Sequence, residues 1–87
     1  MNKNELKEKV FEALNEVIAE SDMSITPYDE MELNRENGID SLGIVSLVVL
    51  LEEKLEFDAD KYLADIRNCK RVTDLVELME KIKRGDG

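Results

Sequence analysis

The 87-residue chain has no histidine, one cysteine and one proline. Without histidine, and with Cys69 alone, an ordinary zinc ligand set cannot be assembled. A lone thiol also excludes an internal disulfide and fits a reducing cytoplasm. The longest apolar run, Leu47 to Leu51, falls far short of the roughly 20 residues that cross a bilayer. The opening "MNKNELKEKV" carries no apolar stretch of signal-peptide length. The expectation is therefore a cytoplasmic protein that is neither exported nor membrane-spanning. At this length it forms one domain with a modest core, too small to enclose an active site between two lobes.

What is present in excess is negative charge. The net charge is -9, and 38% of residues are charged, against roughly 25% in ordinary soluble domains. The 43% hydrophobic share still predicts a folded chain. Such a surface repels nucleic acid and anionic lipid and steers towards basic patches on protein partners. The same charge would also serve solubility alone.

Apolar periodicity organises the chain. Leu6, Val10, Ala13, Leu14, Val17 and Ile18 recur at helical spacing, with Asn2 or Asn4 as N-cap, and predict a first helix ending near Glu20. A second starts at Asp40 or Ser41 and runs to about Leu55, because neither proline nor a turn dipeptide interrupts "SLGIVSLVVLLEEKL". The β-branched run "IVSLVV" competes as a buried strand, but its length favours helix, and a lone strand would leave its backbone groups unpaired. "VTDLVELMEKIK" repeats the helical pattern through Leu75, Val76, Leu78, Met79 and Ile82, capped by Thr73 or Asp74; in the latter case Glu77 completes a capping box. Between these, "ADKYLADI" has room for about two turns resting on Tyr62, Leu63 and Ile66. The fold class is all-α: a small four-helix bundle of three main helices and one short third helix. It forms a single domain over residues 1–87, with a core over about 3–84 and a short flexible C-terminal tail.

Residues 21–39 form a long connection in which Pro27 forbids a continuous helix. Met23, Ile25, Tyr28, Met31 and Leu33 are expected to pin it to the bundle. In a compact domain a loop this long is either functional or a misread element.

The second helix has two faces. Ile44, Leu47, Val48, Leu51 and Leu55 form the stripe expected to meet the core. A second row, Leu42, Val45, Ser46, Val49, Glu52 and Glu53, is apolar near Ser41 and acidic away from it. Either this helix is apolar nearly all round because it is central, or the second row docks a partner.

Ser41 is the hydroxyl best placed for chemistry, at the start of that helix. It is not a hydrolase nucleophile: Ile39 stands where the elbow motif needs glycine, and no histidine is available as a base. Nor do Gly38 and Gly43 have the acid five residues earlier that a calcium loop of the EF-hand type requires. An N-capping role accounts for it, worth about 1 kcal/mol. So does presentation of an anion, a phosphate ester for instance, to the positive end of the helix.

The stretch "NGIDSLGIVSLVVLLEEKL" resembles the helix-II signature of the acyl carrier protein superfamily, with Gly38, Ile39, Asp40, Ser41 and Leu42 matching in order. Length, acidity, the long first loop, helix order and the "VTDLVEL" opening extend the resemblance over nearly the whole chain. It implies that Ser41 accepts 4'-phosphopantetheine from coenzyme A through a separate phosphopantetheinyl transferase, and that the arm then carries acyl, aminoacyl or polyketide thioesters. Asp40 and Leu42 would flank the attachment point, with Asp40 orienting the helix start and helping to place the magnesium-bound coenzyme; a plain N-cap would look the same. The resemblance further implies a monomeric carrier without catalytic activity of its own. It would dock acyl-loading enzymes, synthases or transferases that bear basic patches through Leu42, Val45, Ser46, Val49, Glu52, Glu53 and Ile66. In the fatty-acid carriers of this family the positions of Gly43 and Ser46 are typically acidic and that of Asn37 apolar. These departures point to a more hydrophobic docking surface and a specialised role. The competing reading is a carrier-fold binding or regulatory module that bears no prosthetic group.

Overall fold

A computed structural model describes residues 2–84, and the flexible tail expected beyond them lies outside the described residues. Its elements are α1 (Lys3–Glu20), a 3₁₀ turn (Arg35–Asn37), α2 (Ser41–Leu55), α3 (Ala59–Arg67) and α4 (Val72–Lys83). The four helices form a small bundle. Among the described residues the structure is 69% helical and has no strand, so "IVSLVV" lies within α2.

α1 begins at Lys3 because Asn2, not Asn4, caps it: the Asn2 carboxamide accepts from the Glu5 amide at 2.9 Å. All six apolar residues picked out by periodicity on α1 are buried. The Ser21 hydroxyl closes its far end by donating to the Ile18 carbonyl at 2.7 Å.

α2 buries the Leu47, Leu51 and Leu55 part of its predicted stripe, with the buried face shifted slightly towards Gly43. Gly43, Leu47, Leu51 and Leu55 are buried, whereas Ile44 and Val48 lie half-buried at the edges. The reason is close packing at the α1 contact: a Cβ on Gly43 would lie 3.3 Å from Val17 Cγ1 and 3.4 Å from the Gly38 carbonyl oxygen. Glycine lets the helices approach this far without crowding, which offsets its poor helix propensity of about 1 kcal/mol. Lys54 spans the outside of the same contact, 3.0 Å from Glu16 and 3.8 Å from Glu12.

The long connection is a true loop, held largely by backbone. The Leu33 amide donates to the Lys70 carbonyl at 2.8 Å and the Val72 amide to the Met31 carbonyl at 3.0 Å, giving an isolated bridge between Glu32 and Arg71. The Thr73 amide and hydroxyl both donate to the Asp29 carbonyl. Met31 is fully buried and Ile25 and Leu33 pack on the core, as expected. Met23 and Tyr28 stay outside the core, 37% and 56% exposed. Asn37 stands where the resemblance calls for an apolar residue because its side chain donates to the Glu32 carbonyl at 2.8 Å.

These bonds also reset the start of α4. Arg71 is its N-cap residue, not Thr73 or Asp74, and Asp74 sits three residues on, accepting from the Arg71 and Lys70 amides. Asp74 therefore takes the acid's place in the capping arrangement that Glu77 was expected to fill. At the other end Lys83 donates to the Leu55 carbonyl at 2.7 Å, tying α4 to the C-terminus of α2.

The core joins α1, α2 and α4 through fully buried Leu14, Leu47, Leu51, Leu75 and Met79. Each such side chain contributes about 1.5–3 kcal/mol relative to exposure. α3 buries only Ala59 and Ile66, while Tyr62 is half-buried and Leu63 mostly faces outwards. It is the least firmly held helix.

Candidate functional site

The geometry around Ser41 is set by the residues just before it. Gly38 turns the chain with φ of 85°, a conformation that suits glycine, and a Cβ there would lie 2.8 Å from Ser21 Oγ. Ile39 follows and is buried, anchoring the turn in the core. Asp40 then ends the extended segment, and its Oδ1 accepts from the Gly43 amide at 2.8 Å while its carbonyl accepts from the Ile44 amide.

The cap is thus supplied by Asp40, which leaves Ser41 without that task. Ser41 is exposed on the first turn of α2, and among the described residues its hydroxyl has no hydrogen-bond partner. It opens onto a shallow groove of about 520 Å³ lined by Arg35, Ile39, Asp40, Ser41, Leu42 and Ile44. Such a surface can present the hydroxyl to another macromolecule but cannot activate it, since no histidine is present and the Asp40 carboxylate is engaged with the helix end.

The structure brings most of the proposed docking residues onto one outward face. Leu42, Val45 and Val49 are 78%, 51% and 49% exposed and lie along the side of α2 opposite its buried stripe. Glu52 and Glu53 continue that side towards the C-terminus. Glu52 has a further structural part: its carboxylate accepts from the Ala59 amide at 3.0 Å, capping α3, whose own N-cap residue Asp58 makes no side-chain bond. Ser46 is half-buried beside Val17 and Gly43, at the border of the face.

Ile66 does not belong to the face. At 1% exposure it is the main apolar anchor of α3 in the core. A nine-residue helix with so few apolar residues must commit its bulkiest buried one inwards, so none of the Ile66 side chain is left for a partner. Leu63, 38% exposed, is the large apolar residue that α3 presents at the surface.

Arg35 went unnoticed in the sequence because its place in the groove depends on the 3₁₀ turn. Asn34 caps that turn by accepting from the Asn37 amide at 3.1 Å. The only available signal was a cation six residues before Ser41 in an acidic chain.

The other nucleophile is poorly suited to reaction. Cys69 lies in a groove of about 360 Å³ between α3 and α4, with its Sγ 3.4 Å from the Asp65 carbonyl oxygen as donor. Burial, then the carboxylates of Asp74 and Asp65, push its thiol up to about 11. Among the described residues no group of three or more His, Cys, Asp or Glu side chains is arranged to hold a metal ion. Among the described residues no helix is long and apolar enough to cross a membrane.

The bundle is a small helical protein with an exposed serine hydroxyl beside an exposed apolar row on α2. No protein-family model matches the chain, and neither a curated protein nor a solved structure matches it.

Proposed function

We propose that this chain is an acyl carrier protein, modified on Ser41 with 4'-phosphopantetheine by a separate phosphopantetheinyl transferase. The observation that carries this reading is the division of labour between neighbours: Asp40 caps α2, and the Ser41 hydroxyl stays exposed with no partner among the described residues. The sequence resemblance of residues 37–55 to the helix-II signature supplies the family.

The residues fit such a group. The groove beside Ser41 is open rather than filled by side chains, and Arg35, Leu42 and Ile44 are among the residues that line it. When bound, the arm supplies a thiol on which acyl, aminoacyl or polyketide cargo travels as a thioester. This chain's own residues present the hydroxyl, hold the helix end still and offer the contact face; base and catalysis come from the partner. Tethering by itself raises the effective concentration of a carried group to the order of millimolar at a docked enzyme. The acidic surface steers basic partner patches, and Leu42, Val45 and Val49 give those partners apolar area to bury beside the attachment point. The missing acid at Ser46, on the border of the face, suits a specialised carrier in secondary-metabolite, aminoacyl or modified-lipid biosynthesis, whereas Gly43 is explained by its packing against α1.

Incubation with a fluorescent coenzyme A analogue and a broad-specificity transferase tests the assignment. The expected result is labelling of the wild-type chain and none of Ser41→Ala. Labelling of neither protein, with a known carrier labelled alongside, favours the unmodified binding module.

A further inference from the structure

The groove that holds Ser41 contains a cation whose purpose the bundle does not explain. Arg35 is exposed, and among the described residues it has no ion-pair partner. Its side chain does not hold the 3₁₀ turn, which is fixed instead by the Asn34 carboxamide, by the Asn37 bond to the Glu32 carbonyl and by the Gly38 amide donating to the Arg35 carbonyl. The turn thus fixes the backbone beneath Arg35 and leaves the guanidinium free.

Electrostatics make that position consequential. A phosphodiester on Ser41 adds another negative charge to a chain already at -9, next to the Asp40 carboxylate. Of the groove residues only Arg35 is cationic, opposed by the single carboxylate of Asp40, which already accepts from the Gly43 amide. A guanidinium pairs with phosphate oxygens through two parallel N–H donors, which a flexible ammonium cannot reproduce.

We propose that Arg35 is a positioning residue that ion-pairs with the phosphodiester borne by Ser41 and holds the root of the arm in the groove along Leu42 and Ile44. The inference rests on the carrier reading. It assigns Arg35 a part that the sequence resemblance did not.

The test uses the full chain loaded with coenzyme A by a broad-specificity transferase, then separated from that enzyme. The Arg35 Nε–H resonance is followed by nitrogen NMR, and the arm's phosphodiester by phosphorus NMR relaxation. On loading, the Arg35 resonance is expected to shift, and the shift to reverse in about 0.5 M sodium chloride, where exposed charges are screened. In Arg35→Gln the restrained fraction of the phosphodiester falls about two- to fivefold, the span an exposed ion pair is worth. Arg35→Lys restores part of it. A loaded chain whose Arg35 resonance stays still, and whose phosphodiester moves alike in wild type and Arg35→Gln, overturns the role of Arg35 and leaves the carrier reading standing. A wild-type chain that never loads overturns both. Because the Arg35 side chain makes no contact that holds the turn, both variants are expected to fold as the parent does, which their amide spectra check.

Discussion

Gly43 and Val17 meet so closely at the crossing of α1 and α2 that an added Cβ would stand 3.3 Å from Val17 Cγ1. The same Cβ would also lie 3.3 Å from Asp40 Oδ1, the atom that caps α2. Gly43→Val is therefore expected to lose about 1–3 kcal/mol in urea unfolding through overpacking. Gly43→Ala is expected to change stability by less than about 1 kcal/mol, because its gain in helix propensity offsets the crowding. An equally mild effect of valine would show that the contact yields.

Asp40 and Ser41 separate structure from function. Asp40→Ala removes the bond to the Gly43 amide and is expected to cost about 0.5–2 kcal/mol. Ser41→Ala removes a hydroxyl that has no partner among the described residues, so it is expected to cost less than about 0.5 kcal/mol. Paired thermal unfolding curves give the comparison. A loss at Ser41 equal to that at Asp40 would mean that the hydroxyl supports the helix end.

Glu52 and Glu53 are adjacent acids with different tasks. Glu52→Ala frees the Ala59 amide and is expected to destabilise by about 1 kcal/mol, with amide exchange quickening along α3. Glu53→Ala is expected to stay within about 0.5 kcal/mol of the parent, as is usual for a surface substitution. Like exchange rates along α3 in both variants would contradict the capping role.

Cys69 provides a pH-dependent readout of the α3–α4 contact. Its folded value is raised from 9.0 to about 11, so the folded chain holds the thiol proton more tightly than the unfolded chain does. The associated stability is present in full below the unfolded value and is lost as the pH climbs through the folded one. Alkylation by iodoacetamide near the unfolded value is accordingly expected to be slow in the native protein and to accelerate in urea. Equal native and denatured rates would show that the thiol is not sheltered.

The parts of the fold legible in the sequence were those decided by local pattern. On α1, Leu6 through Ile18 announce the buried face, and Asp40 followed by Ser41 announces the start of α2. Contacts between distant segments left no such trace. The shift of the buried face of α2 follows from Gly43 meeting Val17, and the start of α4 from the Met31 and Lys70 carbonyls, neither of which periodicity can see. The site divides in the same way. Ser41 was readable at the start of α2, but spacing left the row Leu42, Val45 and Val49 either packed or outward-facing, and its exposure is visible only in the bundle. Ile66 entered the docking set only through the resemblance, whereas the apolar spacing of the short helix had already placed it among the residues that rest on the bundle, where it is buried. Arg35 was missed because only the turn over Arg35–Asn37 carries it to the groove.

Intact-mass spectrometry after incubation with coenzyme A, magnesium and a broad-specificity transferase tests the central claim most directly. The wild-type chain should gain the mass of one phosphopantetheine arm, placed on Ser41 by fragmentation, and Ser41→Ala should gain nothing. An unchanged wild-type mass, with a known carrier fully modified in the same mixture, would contradict the account.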